Sequence, residues 1–310
     1  MTWVAWRLQR TETLIALAIL ALLAALLVPT GISMANAYHH DGLGSCLLAP
    51  SDSVCGQKLE DFQQRFHTII SLANWFTLVP GLIGVLFATP FILDLEHGTY
   101  RLSWTQSITR GRWLLGKLGL PVLACLIASG ALILLVTWWR SPAVHINGRL
   151  DTGTYDSEGS VVVGYALFAL ALALAVGAVW RRAAASLAVA FVGYFVMRLF
   201  VDLEVRNHLV TPLKATWKGI QDQPQFLNNA LILNMTAAIH RATHHLGGGL
   251  IGGKTQLAIP GPGARATFHA TYIPARDFWP MQLHETGLYL GIAVVLIAFA
   301  AWWTHRQRTA

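Results

Sequence analysis

Long apolar runs alternate with shorter polar segments along the whole chain. A helix that crosses a hydrocarbon core needs roughly 20 predominantly apolar residues, and six runs meet this length. In lipid each run must be helical, because every backbone N–H and C=O group needs a partner within its own segment. The pattern therefore predicts an all-α membrane protein with six transmembrane helices. The predicted spans are Leu14–Met34, Thr68–Ile92, Leu118–Trp139, Val161–Trp180, Ala183–Val201 and Gly287–Trp303.

The polar segments between the spans differ in pattern. The segment 35–67 ends in a helical stretch that places Leu59, Phe62 and Phe66 on one stripe. The segment 140–160 has the Gly- and Asp-rich composition of a plain loop. Only two residues separate the fourth span from the fifth, which predicts a tight helical hairpin.

The segment 202–286 is too long for a connection without structure of its own, because such loops rarely exceed about 15 residues. Within it, Leu227–Leu246 has a helical pattern, whereas Thr255–Pro260 and Ala266–Pro274 have the pattern of short extended pieces. We expect a small folded cap here. The predicted division is an interfacial helix at 1–12, five spans with a long loop at 93–117 in 13–201, the cap at 202–286, and the last span with its tail at 287–310.

Composition and charge agree with a membrane protein. The chain is 55% hydrophobic and 12% charged, with a mean hydropathy of +0.51, whereas soluble domains carry about 25% charged residues. Lys and Arg concentrate in the segments that share a side with the two termini, which predicts that both termini are cytoplasmic and the cap is extracellular. The net charge of +7 mostly reflects this excess and does not indicate a nucleic-acid partner. The inner residues are Arg7, Arg10, Arg101, Arg110, Arg112, Lys117, Arg181, Arg182, Arg306 and Arg308, against Lys58, Arg65, Arg140 and Arg149 in the shorter outer loops.

Two features near the start have alternative interpretations. The first apolar run is followed by Ala35–Ala37, an A-x-A sequence that also resembles a signal-peptide cleavage site, although the run is long for a signal core. Cys46 and Cys55 share the first outer loop and could form a disulfide on an oxidising face or remain free thiols. Cys125, in the third span, has the position of an inert packing residue.

The stretch Gly248–Thr255 fits the phosphate-loop pattern G-x-x-x-x-G-K-[ST], with Gly253 and Lys254 in the named places. A working phosphate loop follows a buried strand and opens a helix. Neither context is present, because a polar His-rich stretch precedes the motif and two prolines follow it. We interpret the match as a glycine-rich turn and expect no ATPase in this chain.

Ionisable groups are rare in the predicted spans. Ion- and proton-driven carriers usually place carboxylates or histidines within their helices, and the predicted spans contain none, which argues against self-powered transport. Arg198 either reaches the outer headgroups and pairs with Asp202 or faces a cavity. Small and aromatic residues on spans two and five either pack helices together or line a substrate path. The candidates are Asn74, Thr77, Gly81, Gly84 and Ala88 on span two, and Phe191, Tyr194 and Arg198 on span five.

Histidines in the cap raise a metal-binding alternative. His240 and His244 have the i, i+4 spacing that a zinc site can use, and His245 follows directly. Because no assured third ligand is evident from the sequence, a solvated surface helix is the competing interpretation.

The inner loop "LEHGTYRLSWTQSITRGRWLLGKLG", Leu95–Gly119, resembles the loop between spans two and three of bacterial ABC-2 type transporter permeases, most of all those of actinobacteria. "WRLQR", "LVPGLIGVLFATPFILDLE" and "YIPARDFWPMQLHETGLYL" extend the similarity to separated blocks of the chain. The resemblance implies a coupling helix in this loop that docks on a separate ATPase, with spans two and five bounding the substrate path. The residues that it places at the ATPase are Glu96, Gly98, Thr99, Arg101, Trp104, Arg110 and Arg112.

The expected function is that of the permease subunit of an ATP-driven exporter in the bacterial cell membrane. The resemblance implies two ATPase copies, which hold ATP and Mg²⁺, and a second permease subunit that forms a homodimer. This chain is expected to bind no cofactor itself. The aromatic and small linings suggest a hydrophobic or amphipathic cargo such as a drug, lipid or peptide. The alternatives are a membrane-embedded metal protein or metalloenzyme that uses the cap histidines and a membrane sensor that transports nothing.

Overall fold

A computed structural model of the chain describes residues 2–47, 53–98, 110–150, 155–218, 224, 227, 229–239 and 266–306. Six of its helical stretches are long and apolar enough to cross a membrane, which confirms the predicted number of spans. The helices are α1 (Thr2–His40), α2 (Leu43–Cys46), α3 (Ser53–Leu72), α4 (Val79–Glu96), α5 (Arg110–Asn147), α6 (Val161–Trp180), α7 (Ala183–Phe200) and α8 (Phe278–Arg306).

The helix α6 is the centre of the bundle. It packs against α4, α5, α7 and α8, and it is the most buried of the six spans. Gly84 allows α4 to approach it closely, because a Cβ atom at that position would lie 2.7 Å from the Leu170 backbone nitrogen. A second close contact joins α1 to α5, where Trp139 donates from Nε1 to the Thr30 hydroxyl at 3.0 Å.

Several helices extend beyond the predicted spans. A 3-10 turn (Ala73–Leu78) joins α3 to α4, and a π turn (Val201–Val205) followed by a 3-10 turn (Arg206–His208) continues α7. The last helix, α8, begins at Phe278, several residues before the predicted Gly287. Carboxylates therefore do lie within the helical spans, contrary to the expectation from sequence: Glu285 is in α8, and Asp202 is in the π turn.

The segment that follows α1 contains the helices α2 and α3. A disulfide joins Cys46 to Cys55 and so links α2 to α3. The predicted helical stretch is present in α3, and Phe62 and Phe66 are both buried in the main core, with Leu59 packed against it. The buried free cysteine is Cys125. The helix α1 runs without interruption through Ala35–Ala37.

A three-stranded antiparallel sheet follows α7, with β1 (Leu213–Lys218), β2 (Leu231–Ile239) and β3 (Ala266–Ile273) in the order β1-β3-β2. We call the end of the bundle from which it extends the sheet end, and the end where α1 begins the terminal end. Trp217 and Phe268 stack on one face of the sheet, with ring centroids 5.4 Å apart. The helical prediction for Leu227–Leu246 is wrong at β2. Its Leu, Met and Ala residues favour a helix locally, but pairing with β3 satisfies the backbone in an extended form.

The prediction of a plain loop at 140–160 is also wrong. The helix α5 continues to Asn147, and Tyr155, Asp156 and Glu158 are buried against the bundle.

Candidate functional site

Charged and aromatic side chains are buried together at the sheet end, where α6, α7 and α8 meet. The arginines come from the end of α7 and the 3-10 turn after it, and the carboxylates come from the turn before α6, the π turn and α8. Because α6 begins and α7 ends at the same level of the bundle, residues far apart in sequence converge here. We call this set the buried charge cluster, and it comprises Tyr155, Asp156, Tyr165, Arg198, Asp202, Arg206 and Glu285.

Asp156 bridges the two arginines of the cluster. Its Oδ2 contacts Nη2 of Arg198, and its Oδ1 lies 2.6 Å from Nη2 of Arg206. Arg198 is only 7% exposed. Of the two alternatives for Arg198, the pair with Asp202 at the headgroups is wrong, because the guanidinium is buried and its ion-pair partner is Asp156.

Arg206 is paired on three sides. It donates from Nε to Oε2 of Glu285 and from Nη2 to Oε1, both at 3.2 Å, which makes a two-pronged ion pair. Its Nη1 contacts Asp202, one helical turn earlier. Together with Asp156, three carboxylates surround this one guanidinium, so Arg206 is the hub of the cluster.

Two tyrosines complete the cluster. The Arg198 Cζ atom lies 4.4 Å from the Tyr165 ring centroid, and the Arg206 Cζ atom lies 4.6 Å from that of Tyr155, which are cation–π distances. Tyr165 donates its hydroxyl to Oε1 of Glu285 at 2.6 Å, and Tyr155 donates to Oε2 at 3.0 Å. Burial, and then the charge of Glu285, raise the pKa of Tyr155 well above its usual value, so this phenol remains a donor.

The turn that carries Asp156 is held by one glutamine of α8. Gln282 donates from Nε2 to the carbonyl oxygens of Tyr155 at 2.8 Å and Glu158 at 3.2 Å, and its Oε1 accepts from the Val161 backbone N–H at 2.9 Å. Gly159 has a φ of +76°, and a Cβ atom there would lie 2.9 Å from Oε1 of Gln282. The turn therefore needs glycine both for its backbone conformation and for space.

The cluster contains three carboxylates and two guanidiniums, a formal charge of −1 if all are ionised. Buried charges are tolerated in such a setting only when they are paired and hydrogen-bonded. The ion pairs and the tyrosine hydrogen bonds of the cluster join three helices. The arrangement is therefore suited to holding these helices together.

A second polar contact lies at the opposite end of α7. Glu96, the last residue of α4, accepts a 2.8 Å hydrogen bond at Oε2 from the backbone N–H of Ala183, the first residue of α7. A carboxylate at this position satisfies an otherwise unpaired donor and complements the positive helix N-terminus. Nearby, Lys117 of α5 forms an ion pair with Asp94 of α4.

The structure brings most of the predicted substrate-path residues together. They contact one another between helices of this one chain. A Cβ atom at Gly81 would lie 2.6 Å from Cδ1 of the Tyr194 ring, and Tyr194 donates its hydroxyl to the Thr77 carbonyl oxygen at 2.7 Å. Tyr194 is fully buried and stacks with Phe191, with ring centroids 6.3 Å apart. For these residues the contacts are those of helix packing. The side chain of Asn74 lies outside the described residues.

Of the predicted coupling residues, Glu96 and Gly98 are described. Gly98 lies two residues after the end of α4 and has a φ of +68°, which glycine adopts without strain. Arg110 and Arg112 begin α5, but their side chains lie outside the described part. The remaining predicted positions are outside the described residues altogether: Thr99, Arg101 and Trp104 of the loop, His240, His244 and His245 of the metal alternative, and Gly248–Thr255 of the phosphate-loop match.

Sequence reasoning missed Asp156, Arg206 and Glu285. A signal was available for the second, because Arg198, Asp202 and Arg206 recur every four residues and so share one helical face. Nothing local marks the other two. Asp156 lies in a segment with the composition of a loop, and Glu285 lies just outside the last apolar run.

Within the described residues, no group of three or more His, Cys, Asp or Glu side chains is placed to hold a metal ion.

Six apolar helices that are long enough to cross a membrane, together with buried ion pairs between them, define a multi-pass membrane protein. The family model described as ABC-2 membrane transporter related matches residues 17–206. Since the match covers more than half of the chain, the chain belongs to this family and is a membrane component of an ABC-2 type transporter of the cell membrane. Membership implies partnership with an ABC ATPase. Comparisons with curated proteins and with solved structures returned no match.

Proposed function

We propose that this chain is the permease subunit of an ATP-driven exporter, and that it works as a homodimer with two copies of a separate ATPase. ATP and Mg²⁺ bind in that partner, and the chain itself binds no cofactor. The cargo is a hydrophobic or amphipathic molecule such as a drug, lipid or peptide. In this proposal the terminal end of the bundle faces the cytoplasm and the sheet lies outside the cell.

The observation that supports this function best is the hydrogen bond from Ala183 to Glu96. The loop 93–117, the proposed ATPase contact, begins at the end of α4. Because Glu96 caps α7, a push on this loop acts directly on the start of α7. The Asp94–Lys117 ion pair connects α5 to the same end of α4. Motion of the ATPase therefore has a polar connection to three helices.

The nature of the cargo is inferred from what the helices expose. On α7, Val192 is 61% exposed and Val196 is 58% exposed, so this face is apolar. The charges at the sheet end are buried in pairs. A path bounded by such faces suits an apolar or amphipathic molecule better than an ion.

The first test is affinity purification of the tagged chain from its native membrane. We expect a nucleotide-binding chain to co-purify and its ATPase activity to rise with cargo. If no nucleotide-binding chain is recovered under conditions that keep the permease folded, the exporter role is wrong.

The second test separates docking from coupling. Glu96→Ala removes the cap of α7, and Glu60→Ala on the exposed surface of α3 is the matched control. We expect Glu96→Ala to retain the ATPase but lose export, and the control to retain both. Arg101→Glu should weaken ATPase binding itself, with Arg65→Glu on α3 as its control. Normal export by Glu96→Ala would refute the coupling path and leave the family assignment intact.

A further inference from the structure

The buried charge cluster contains more carboxylates than guanidiniums. Its carboxylates belong to Asp156, Asp202 and Glu285, and its guanidiniums belong to Arg198 and Arg206. Every ion pair that the structure describes for these side chains joins two members of the cluster, so no described cation from outside offsets the excess. With all of these groups ionised, the cluster therefore carries one uncompensated negative charge.

The cluster lies at the depth of the hydrocarbon layer. Trp279 and Trp302 are exposed near the two ends of α8, about 35 Å apart along the helix, which is close to the roughly 30 Å thickness of a hydrocarbon core. Because exposed tryptophans favour the membrane boundaries, Glu285 lies about 9 Å along α8 inside the boundary that Trp279 marks. An unpaired charge at this depth is costly, so the excess charge of the cluster favours the binding of a cation.

A proton suits the cluster better than a metal ion does. The part of the chain that the structure describes contains no group of three or more His, Cys, Asp or Glu side chains placed to hold a metal ion, and the carboxylates of the cluster are included in that statement. A proton needs only one carboxylate oxygen, and it removes the whole excess of negative charge. It also leaves the ion pairs of the other two carboxylates unchanged.

Asp202 is the carboxylate best placed to bind this proton. Both oxygens of Asp156 contact guanidiniums, and both oxygens of Glu285 accept from Arg206 and from a tyrosine hydroxyl. The guanidinium contact that the structure describes for Asp202 is made by Oδ1, with Arg206. The side chain of Asp202 is also the most accessible of the three, because it is 29% exposed, against 5% for Asp156 and 0% for Glu285.

We propose that the buried charge cluster is a proton-binding site, in which Oδ2 of Asp202 takes one proton from water and the cluster becomes neutral. The protonated carboxyl group still accepts at Oδ1 from Arg206. When the proton leaves, the excess negative charge returns and weakens the packing of α7 against α6 and α8. The site thus links the pH at the sheet end to helix packing, and it needs neither ATPase nor cargo. The charged groups that act on Asp202 are Arg206 in the 3-10 turn, Asp156 before α6, Arg198 in α7 and Glu285 in α8.

The first test detects the proton directly. The purified full chain in phosphatidylcholine nanodiscs is titrated between about pH 5.5 and about pH 8, where exposed carboxylates are ionised, and infrared spectra record the carbonyl band of a protonated carboxyl group. We expect the wild type to lose one such band as the pH rises and Asp202→Asn to lack it. Glu204→Gln should retain the band and is the matched control, because Glu204 is an exposed carboxylate of the same π turn. Burial also raises the pKa of Glu158, and Glu158→Gln removes any band from that residue.

The second test measures the effect of the proton on stability. In an unfolded chain an aspartate releases its proton near about pH 4. From there to the pH at which the infrared band disappears, the folded cluster binds one more proton than the unfolded chain, so stability falls as the pH rises. This proton should lower the apparent Tm by about 3–5 °C per pH unit. Asp202→Asn should lose this part of the pH dependence, and Glu204→Gln should keep it.

Three results would overturn the proposal. The first is the absence of a carbonyl band that depends on Asp202, with parallel Tm profiles for the wild type and Asp202→Asn. The second is a band that Glu285→Gln removes and Asp202→Asn retains, because the proton then lies on another carboxylate. The third is a rise in the Tm of the wild type, but not of Asp202→Asn, when sodium replaces choline at constant pH, because the bound cation is then a metal ion.

Discussion

We expect the buried charge cluster to be especially sensitive to mutation of Asp156. It contacts both Arg198 and Arg206, but only Arg206 has further carboxylates, Asp202 and Glu285. Asp156→Asn therefore leaves Arg198 as the buried cation without its carboxylate. Arg198→Met has the opposite effect, because it lowers the formal charge of the cluster from −1 to −2. The double variant removes one charge of each sign and restores −1.

The expected magnitude follows from the burial of the pair, since the two side chains are 8% and 5% exposed. Breaking a buried ion pair by removing one partner costs about 3–5 kcal/mol, whereas apolar replacement of the whole pair is often close to neutral. At roughly 2–4 °C per kcal/mol, each single variant should lower the apparent Tm by about 6 °C or more. The double variant should lose clearly less than the sum of the two, with a coupling energy of about 2–3 kcal/mol.

Apparent Tm values of the four proteins in one detergent, followed by tryptophan fluorescence, give the cycle. Arg276→Gln is the control, because Arg276 is exposed and lies 3.9 Å from Asp277, and such surface pairs contribute about 0–1 kcal/mol. Additive losses, or single variants as stable as the control, would show that the cluster is not the energetic unit that its contacts describe.

Three further changes test other contacts by the same measurement. Gly81→Ala should lower stability by about 1–3 kcal/mol, because its Cβ atom meets the Tyr194 ring, and Tyr194→Leu should relieve this loss; a neutral Gly81→Ala contradicts the close packing. Burial raises the pKa of Glu158, so its ionisation opposes folding above that pKa. Glu158→Gln should thus raise the apparent Tm at about pH 7.5, with a gain that vanishes near pH 4, and a gain constant with pH refutes the assignment. Replacing Cys46 and Cys55 by serine should cost about 2–4 kcal/mol, because their disulfide closes a loop in the unfolded chain, and reducing the wild type should reproduce the loss.

The helices were predictable because their signal is local. Length and apolar composition alone specify a membrane helix, so all six spans appear near their predicted positions. The strand β2 was not predictable in this way. Its residues Leu231–Ile239 have a helical pattern. The strand that pairs with them, β3, begins only at Ala266, after residues 240–265, which are outside the described part of the chain. Strand formation here depends on a long-range contact, which no local pattern contains.

In the buried charge cluster, too, one part was predictable from local sequence and the other depends on long-range contacts. The four-residue spacing of Arg198, Asp202 and Arg206 is a local signal of one helical face. The sequence does not show which carboxylates face them, because Glu285 is 79 residues from Arg206 and Asp156 is 50 residues away. Arg198 and Asp202 are correctly spaced for an ion pair, but each has a different partner in the structure. Spacing thus identifies a face, and the tertiary fold selects the pairs.

The two polar contacts of α7 together explain how a small motion can cross the bundle. Glu96 holds its first residue, Ala183, and Asp156 holds Arg198 near its last turn, so both ends are tied by directional interactions. Between them α7 is an uninterrupted helix, which transmits displacement along its axis with little compression because its backbone hydrogen bonds are continuous. The π turn after Phe200 is the first irregular point, and such turns often mark functional sites in helices. In the export cycle that we propose, a displacement at Glu96 would therefore be delivered to the turn that carries Asp202, where the cluster would either yield or pass it to α8 through Glu285.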